Sequence, residues 1–174
     1  MSQFRVEKRR ANAEILLATG QKVRGAVFLA ASSAKHVGPE RIGDLLNAEP
    51  GFFPFETGPA DADTLLINRS HVITVRLLDR IDEPQHDPGY ALATPRHVAI
   101  RLTDATVITG TVRVYRPQGR DRLSDYARSP EPFRYLEGTD GTYIVNTAHI
   151  VNISELEGEA VGADQSRSRG ERWA

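Results

Sequence analysis

The sequence contains no cysteine, which excludes disulfides, thiolate zinc sites and thiol nucleophiles and gives no sign of secreted or redox-active work. Net charge is missing too: 22 Lys and Arg stand against 23 Asp and Glu, a formal charge of −1, so no large field draws nucleic acid or acidic membranes wholesale. Nor is there a long apolar run. The first, Ile15 to Ala18, is too short for a secretory signal or a membrane span, and the expectation is a cytoplasmic chain without membrane contact. No nucleophile elbow, phosphate loop, dinucleotide fingerprint or His-Glu metal helix occurs, and no spacing of Ser, His and Asp selects a triad. The chain is therefore read as non-enzymatic, without cofactor or metal. Its 40% of hydrophobic residues is an ordinary globular share.

What the sequence does contain is an internal repeat. Glu14–Val27 aligns with Ala99–Val112 at an offset of 85, so that Leu17 meets Leu102, Gly25 meets Gly110 and Val27 meets Val112. Arg41–Leu45 matches Arg122–Tyr126 at 81, and Ile67–Val72 matches Val145–Ile150 at 78. Three blocks in one order, sharing Gly, Asp, Asn and His, imply a tandem duplication with changes in loop length. Composition sets the boundaries: a basic arm over 1–11, repeat one over 12–79, a linker over 80–96, repeat two over 97–156 and a tail over 157–174. These carry +3, −2, −1, 0 and −1, which sum to the −1 of the whole. The linker is rich in Pro and expected to lack regular structure, and the tail is expected to be disordered, leaving Trp173 outside any core.

Within each repeat the apolar period is two, as in Ile15, Leu17 and Val23 or in Ile108, Val112 and Val114, and this predicts strands. Thr19-Gly20 and Asp104-Ala105 are placed as tight turns, and Gly25 and Gly110 as sites of bending or a bulge. Ile42, Leu45 and Leu46, like Leu123, Tyr126 and Ala127, fall at helical spacing and predict one or two helical turns in mid-repeat. Thr64–Asn68 with His71–Leu77, and Thr142–Asn146 with His149–Ile153, are expected to form closing hairpins. The fold class is thus mainly all-β: a tandem duplication of a small, strongly bent five-stranded Sm-like or SH3-like barrel with a short inserted helix.

The pattern Ile15-x-Leu17-x-x-Gly20-x-x-Val23-x-Gly25-x-Val27 resembles the first Sm motif, and Ile67–Val72 resembles the second. The Arg122–Tyr126 block with its downstream Phe is similar to uncharacterised bacterial Sm-like proteins. This resemblance implies small barrels that join edge to edge, the fourth strand of one with the fifth of the next; three chains would give six barrels in a ring and two chains four. It also implies RNA contacts in two loops. In this sequence the Asp-x-hydrophobic-Met-Asn loop element is replaced by the Arg-x-x-Asp block, and the Arg-Gly pair by Asn68-Arg69 and Asn146-Thr147.

The candidate binding residues follow. Asn68, Arg69 and His71, with Asn146 and His149, recur at one place; the histidines are read as capping turn carbonyls rather than holding metal, and the asparagines as suiting a left-handed turn. Asp44 and Asp125 are read as satisfying loop amides. Arg113, Tyr115, Arg116, Arg120 and Arg122 interleave cations with an aromatic, as a single-stranded nucleic-acid groove does, although a solvated strand face has the same composition. The leading expectation is a non-catalytic scaffold that forms homo-oligomers or meets a protein partner. The second is an RNA-binding protein using these arginines and the arm residues Arg5, Lys8, Arg9 and Arg10.

Overall fold

The computed structural model describes residues 8–58, 63–79, 92–114, 119 and 122–157. Most of the linker and tail therefore lie outside the described residues, as do Trp173, Tyr115, Arg116, Arg120 and Arg5.

The described residues form ten strands: β1 (Lys8–Leu17), β2 (Lys22–Ala30), β3 (Phe52–Thr57), β4 (Thr64–Asn68), β5 (Val72–Leu77), β6 (Thr94–Leu102), β7 (Val107–Val114), β8 (Phe133–Gly138), β9 (Gly141–Asn146) and β10 (Ile150–Glu155). Two five-residue helices, α1 (Ile42–Leu46) and α2 (Leu123–Ala127), follow β2 and β7 at the predicted apolar spacing. Two 3₁₀ turns, Arg69–His71 and Thr147–His149, precede β5 and β10. All pairings are antiparallel and join in one sheet, ordered β10-β6-β7-β8-β9-β5-β1-β2-β3-β4. Each run of five strands has the same internal order. Both carry a register shift at the same place, between Leu16 and Leu17 where β5 meets β1, and between Ile150 and Asn152 where β10 meets β6.

The first turns form as the sequence requires: Gly20 takes φ +83° and Ala105 φ +69°, and Asp104 Oδ1 accepts from the Thr106 N–H at 3.0 Å. Four expectations are corrected. Gly25 and Gly110 sit in unbroken register with β1 and β6 and make no bulge; a Cβ at either would overlap the carbonyl oxygen of Glu56 or Glu137 on the next strand, so glycine is needed for close backbone approach. The closing hairpins do not form. β4 pairs with β3 and β5 with β1, at opposite ends of their run, because the 3₁₀ turn between them redirects the chain instead of folding it back. Asn68 and Asn146 accordingly have extended backbones, φ −76° and −78°, rather than left-handed ones. Nor, among the described residues, does the sheet close: β10 and β4 are its ends and are not paired.

Two buried clusters lie along the sheet. The first gathers Ile15, Val27, Leu29, Ile42, Leu46, Phe53, Phe55, Val72 and Val75 and includes Phe133 and Ile144 from the second run. The second gathers Val98, Ile100, Leu102, Val112, Val114, Tyr126 and Leu136 and includes Ile73 from the first. Each run completes the core of the other.

Candidate functional site

Both helices are too short to hold by propensity and are pinned at each end. Asp44 Oδ2 accepts from the Arg41 N–H at 2.9 Å, and Asp125 Oδ2 from the Arg122 N–H at 3.2 Å, so each carboxylate caps the first turn. At the far end an arginine supplies the missing donors. Arg69 donates to the carbonyls of Leu45 (3.0 Å) and Phe52 (2.8 Å) with its guanidinium 5.3 Å over the Phe53 ring. In the second run Arg134 does the same work, donating to the carbonyls of Tyr126, Ser129 and Glu131 and lying 4.8 Å over the Tyr126 ring. The cations come from different elements, since Thr147 stands in the Arg69 position and Phe53 in the Arg134 position. Burial lowers both guanidinium pKa values and pushes the Tyr126 hydroxyl up to about 12.

The junction between the runs is the pairing of β5 with β9, in register Thr74↔Val145, Val75↔Ile144 and Arg76↔Tyr143. The second Asn-x-x-His turn is bonded onto the first. Asn146 Oδ1 accepts from its own turn at Ala148, while Nδ2 donates to the carbonyls of Val72 (2.9 Å) and Arg69 (3.3 Å). His149 Nε2 lies 2.8 Å from the Ser70 carbonyl oxygen, and Nδ1 3.0 Å from Thr103 Oγ1. The Asn47 amide brackets the Phe133 backbone, donating to its carbonyl and accepting from its N–H at 2.9 Å each. Tyr135 Oη accepts from the Gly43 N–H at 3.0 Å, an approach that requires glycine because a Cβ there would lie 2.6 Å from the tyrosine ring.

The two ends of the sheet, β3 with β4 at one and β10 at the other, present the same positions uncovered. Phe52, which corresponds to Phe133, is 61% exposed against 3%; Leu66, corresponding to Ile144, 69% against 0%; and Val151, corresponding to Ile73, 58% against 1%. Beside β10 runs a mainly apolar groove of about 380 Å³ lined by Leu123, Ala127, Ile150 and Ile153 with Arg134 and Asn152. Its counterparts at the junction, Ile42, Leu46, Val72 and Val75, are packed with Phe133 and Ile144 in one cluster.

The sequence candidates divide accordingly. Asn146 and His149 are brought together at the junction. Asn68 Oδ1 caps its turn through Ser70, but among the described residues no partner falls on the Asn68 amide nitrogen or the His71 ring. Arg69 is buried and its bonds are spent on carbonyls. Lys8, Arg9 and Arg10 form the start of β1, opposite Ala30, Leu29 and Phe28, and Arg10 bonds Glu56 at 3.1 Å. Arg113 is half-buried beside Glu137 (3.5 Å) on β7, whereas Arg122 is exposed at the start of α2. Of the basic stretch only these two arginines are among the described residues. Sequence reasoning assigned Arg134, Asn47 and Tyr135 no part in a helix cap or in the junction. Arg134 had a signal, the exchange of arginine between two matched positions of the repeats.

Among the described residues no three His, Asp or Glu side chains cluster in a way that could hold a metal ion, and no helix is long and apolar enough to cross a membrane. The groove offers apolar burial rather than convergent polar chemistry. Compared with known proteins, the chain matches no family model, no curated sequence and no solved structure.

Proposed function

We propose that this chain is a non-catalytic binding or scaffolding protein, a tandem duplication of a small Sm-like barrel that self-associates through its strand edges. One observation carries the reading: among the described residues β4 pairs only with β3 and β10 only with β6, and both outer strands expose large apolar side chains, Leu65 and Leu66 on one and Val151 on the other. Proteins that stay monomeric cover, charge or shorten such edges, because unpaired N–H and C=O groups beside apolar side chains recruit another strand. The shared strand order and matched register shifts support the duplication. Burial of Arg69 weighs against RNA, since it removes the one cationic contact of the loop that the Sm resemblance assigns to nucleic acid.

Multi-angle light scattering across a range of protein concentrations tests this. The expected mass is a multiple of the 19.2 kDa chain, with the absorbance ratio of pure protein. A monomer at high concentration refutes the scaffold, and nucleic acid that co-purifies and is released by salt would put Sm-like RNA binding in its place.

A further inference from the structure

We infer that the partner at these edges is a second copy of this chain, added head to tail: Phe52 and Leu66 of one copy enter the Leu123–Ala127–Ile150–Ile153 groove of the next. The inference rests on the self-association reading and adds register and contact residues to it. Its basis is the junction inside the chain. There Phe133 and Ile144 fill the space between α1 and β5, and each apolar side chain of that contact has an apolar counterpart at the ends of the sheet. Phe52 and Leu66 are the uncovered plug, and the space between α2 and β10 is the unfilled groove. Repeating the junction's ladder places Asn152 opposite Ile67, Ile153 opposite Leu66 and Ser154 opposite Leu65, the positions that correspond to Thr74↔Val145, Val75↔Ile144 and Arg76↔Tyr143. The polar groups follow the same logic. The Asn68 amide nitrogen would reach the carbonyls of Thr147 and Ile150, and the His71 ring that of Ala148, as Asn146 and His149 reach Arg69, Val72 and Ser70.

The two contacts are matched without being identical. Tyr135 at the junction demands Gly43, whereas Pro54 stands in the tyrosine position of the plug and Ser124 in the glycine position of the groove. A short side chain therefore faces a short side chain. Arg128 replaces Asn47, so the amide bracket on the Phe133 backbone has no counterpart between copies. Plug and groove lie at opposite ends of one sheet, which makes the contact heterologous and the assembly a ring or a filament rather than a symmetric dimer with one shared patch.

The test uses one variant blocked in the plug, Leu66→Lys, and one blocked in the groove, Ala127→Arg, with Phe52→Lys and Val151→Arg as independent second versions; all four positions are exposed, so the fold tolerates them. Each variant alone should weaken self-association by roughly tenfold or more. Mixed, the intact plug of one and the intact groove of the other should give a 1:1 pair at twice the chain mass, and the double variant Leu66→Lys/Ala127→Arg should form none. A monomeric wild type overturns the self-association reading and this inference with it. If wild type associates, variants that associate equally well, or single variants whose mixture stays monomeric, overturn the head-to-tail arrangement while leaving self-association standing.

Discussion

Ile144 and Leu66 occupy the same place in the two runs of strands, one sealed at the junction and the other facing solvent, so truncating each to alanine isolates what the environment contributes. Ile144→Ala removes three carbons from a fully buried site inside the first cluster. At ~0.8 kcal/mol per methylene-sized group the transfer loss is about 2.4 kcal/mol, and incomplete collapse of the cavity raises the total to about 3–4 kcal/mol. That is a large share of the ~5–15 kcal/mol that stabilises a typical domain. Leu66→Ala should change dilute-solution stability by no more than ~0.5 kcal/mol, because its side chain is already largely in water. Urea denaturation at low micromolar concentration, followed by far-UV and by near-UV circular dichroism, reads both. The two probes should give one shared transition, since each core contains residues from the other run. An Ile144→Ala cost below ~1 kcal/mol, a Leu66→Ala cost of similar size, or a two-step transition would refute this account of the junction.

Gly25→Ala should cost several kcal/mol and sharply lower soluble yield, because its Cβ would meet the Glu56 backbone, which cannot swing away as a side chain could; Gly20→Ala, in an open turn at positive φ, should cost only about 1 kcal/mol in the same denaturation assay. Arg69→Met should destabilise by about 1–3 kcal/mol by stranding the Leu45 and Phe52 carbonyls, measured as a lower urea midpoint at unchanged slope. Stability should also fall in acid through Glu14, whose carboxyl is held below its ordinary 4.5 chiefly by the hydrogen bond from Arg24 at 2.5 Å. With the folded value depressed, the contribution is present above about pH 4.5 and is lost as pH drops through the folded value; Arg24→Ala should flatten that part of the stability–pH curve.

Much of this fold was legible in the sequence because local signals and core positions coincide. The period-two runs became strands, the Ile42 and Leu123 blocks became helices, and Gly20 took its turn. Pairing partners were less readable. Asn68-Arg69-Ser70-His71 looks like a hairpin turn by composition, and only the 3₁₀ geometry, with Asn68 capping Ser70, sends β5 away to β1. The site was legible in its residues and not in its direction: Asn146 and His149 were singled out, but whether their bonds fall within a turn or across to residues 69–72 depends on contacts more than 70 positions apart. Asn47 and Tyr135, reaching Phe133 and Gly43, carry no pattern that a single strand or helix would reveal.

The exchange of Arg69 for Arg134 sets the size of the unit in which one run could be replaced by the other. A hybrid with β8 beside the first 3₁₀ turn would bring two guanidinium groups to one helix end, and β3 beside the second would bring none, leaving the carbonyl of Leu45 or Tyr126 without its donor. Strand and turn are therefore inherited together. A recombination point between β3 and the Arg69 turn, or between β8 and the Thr147 turn, would break a working helix cap, whereas one placed before β3 or after the turn would carry the cap across whole.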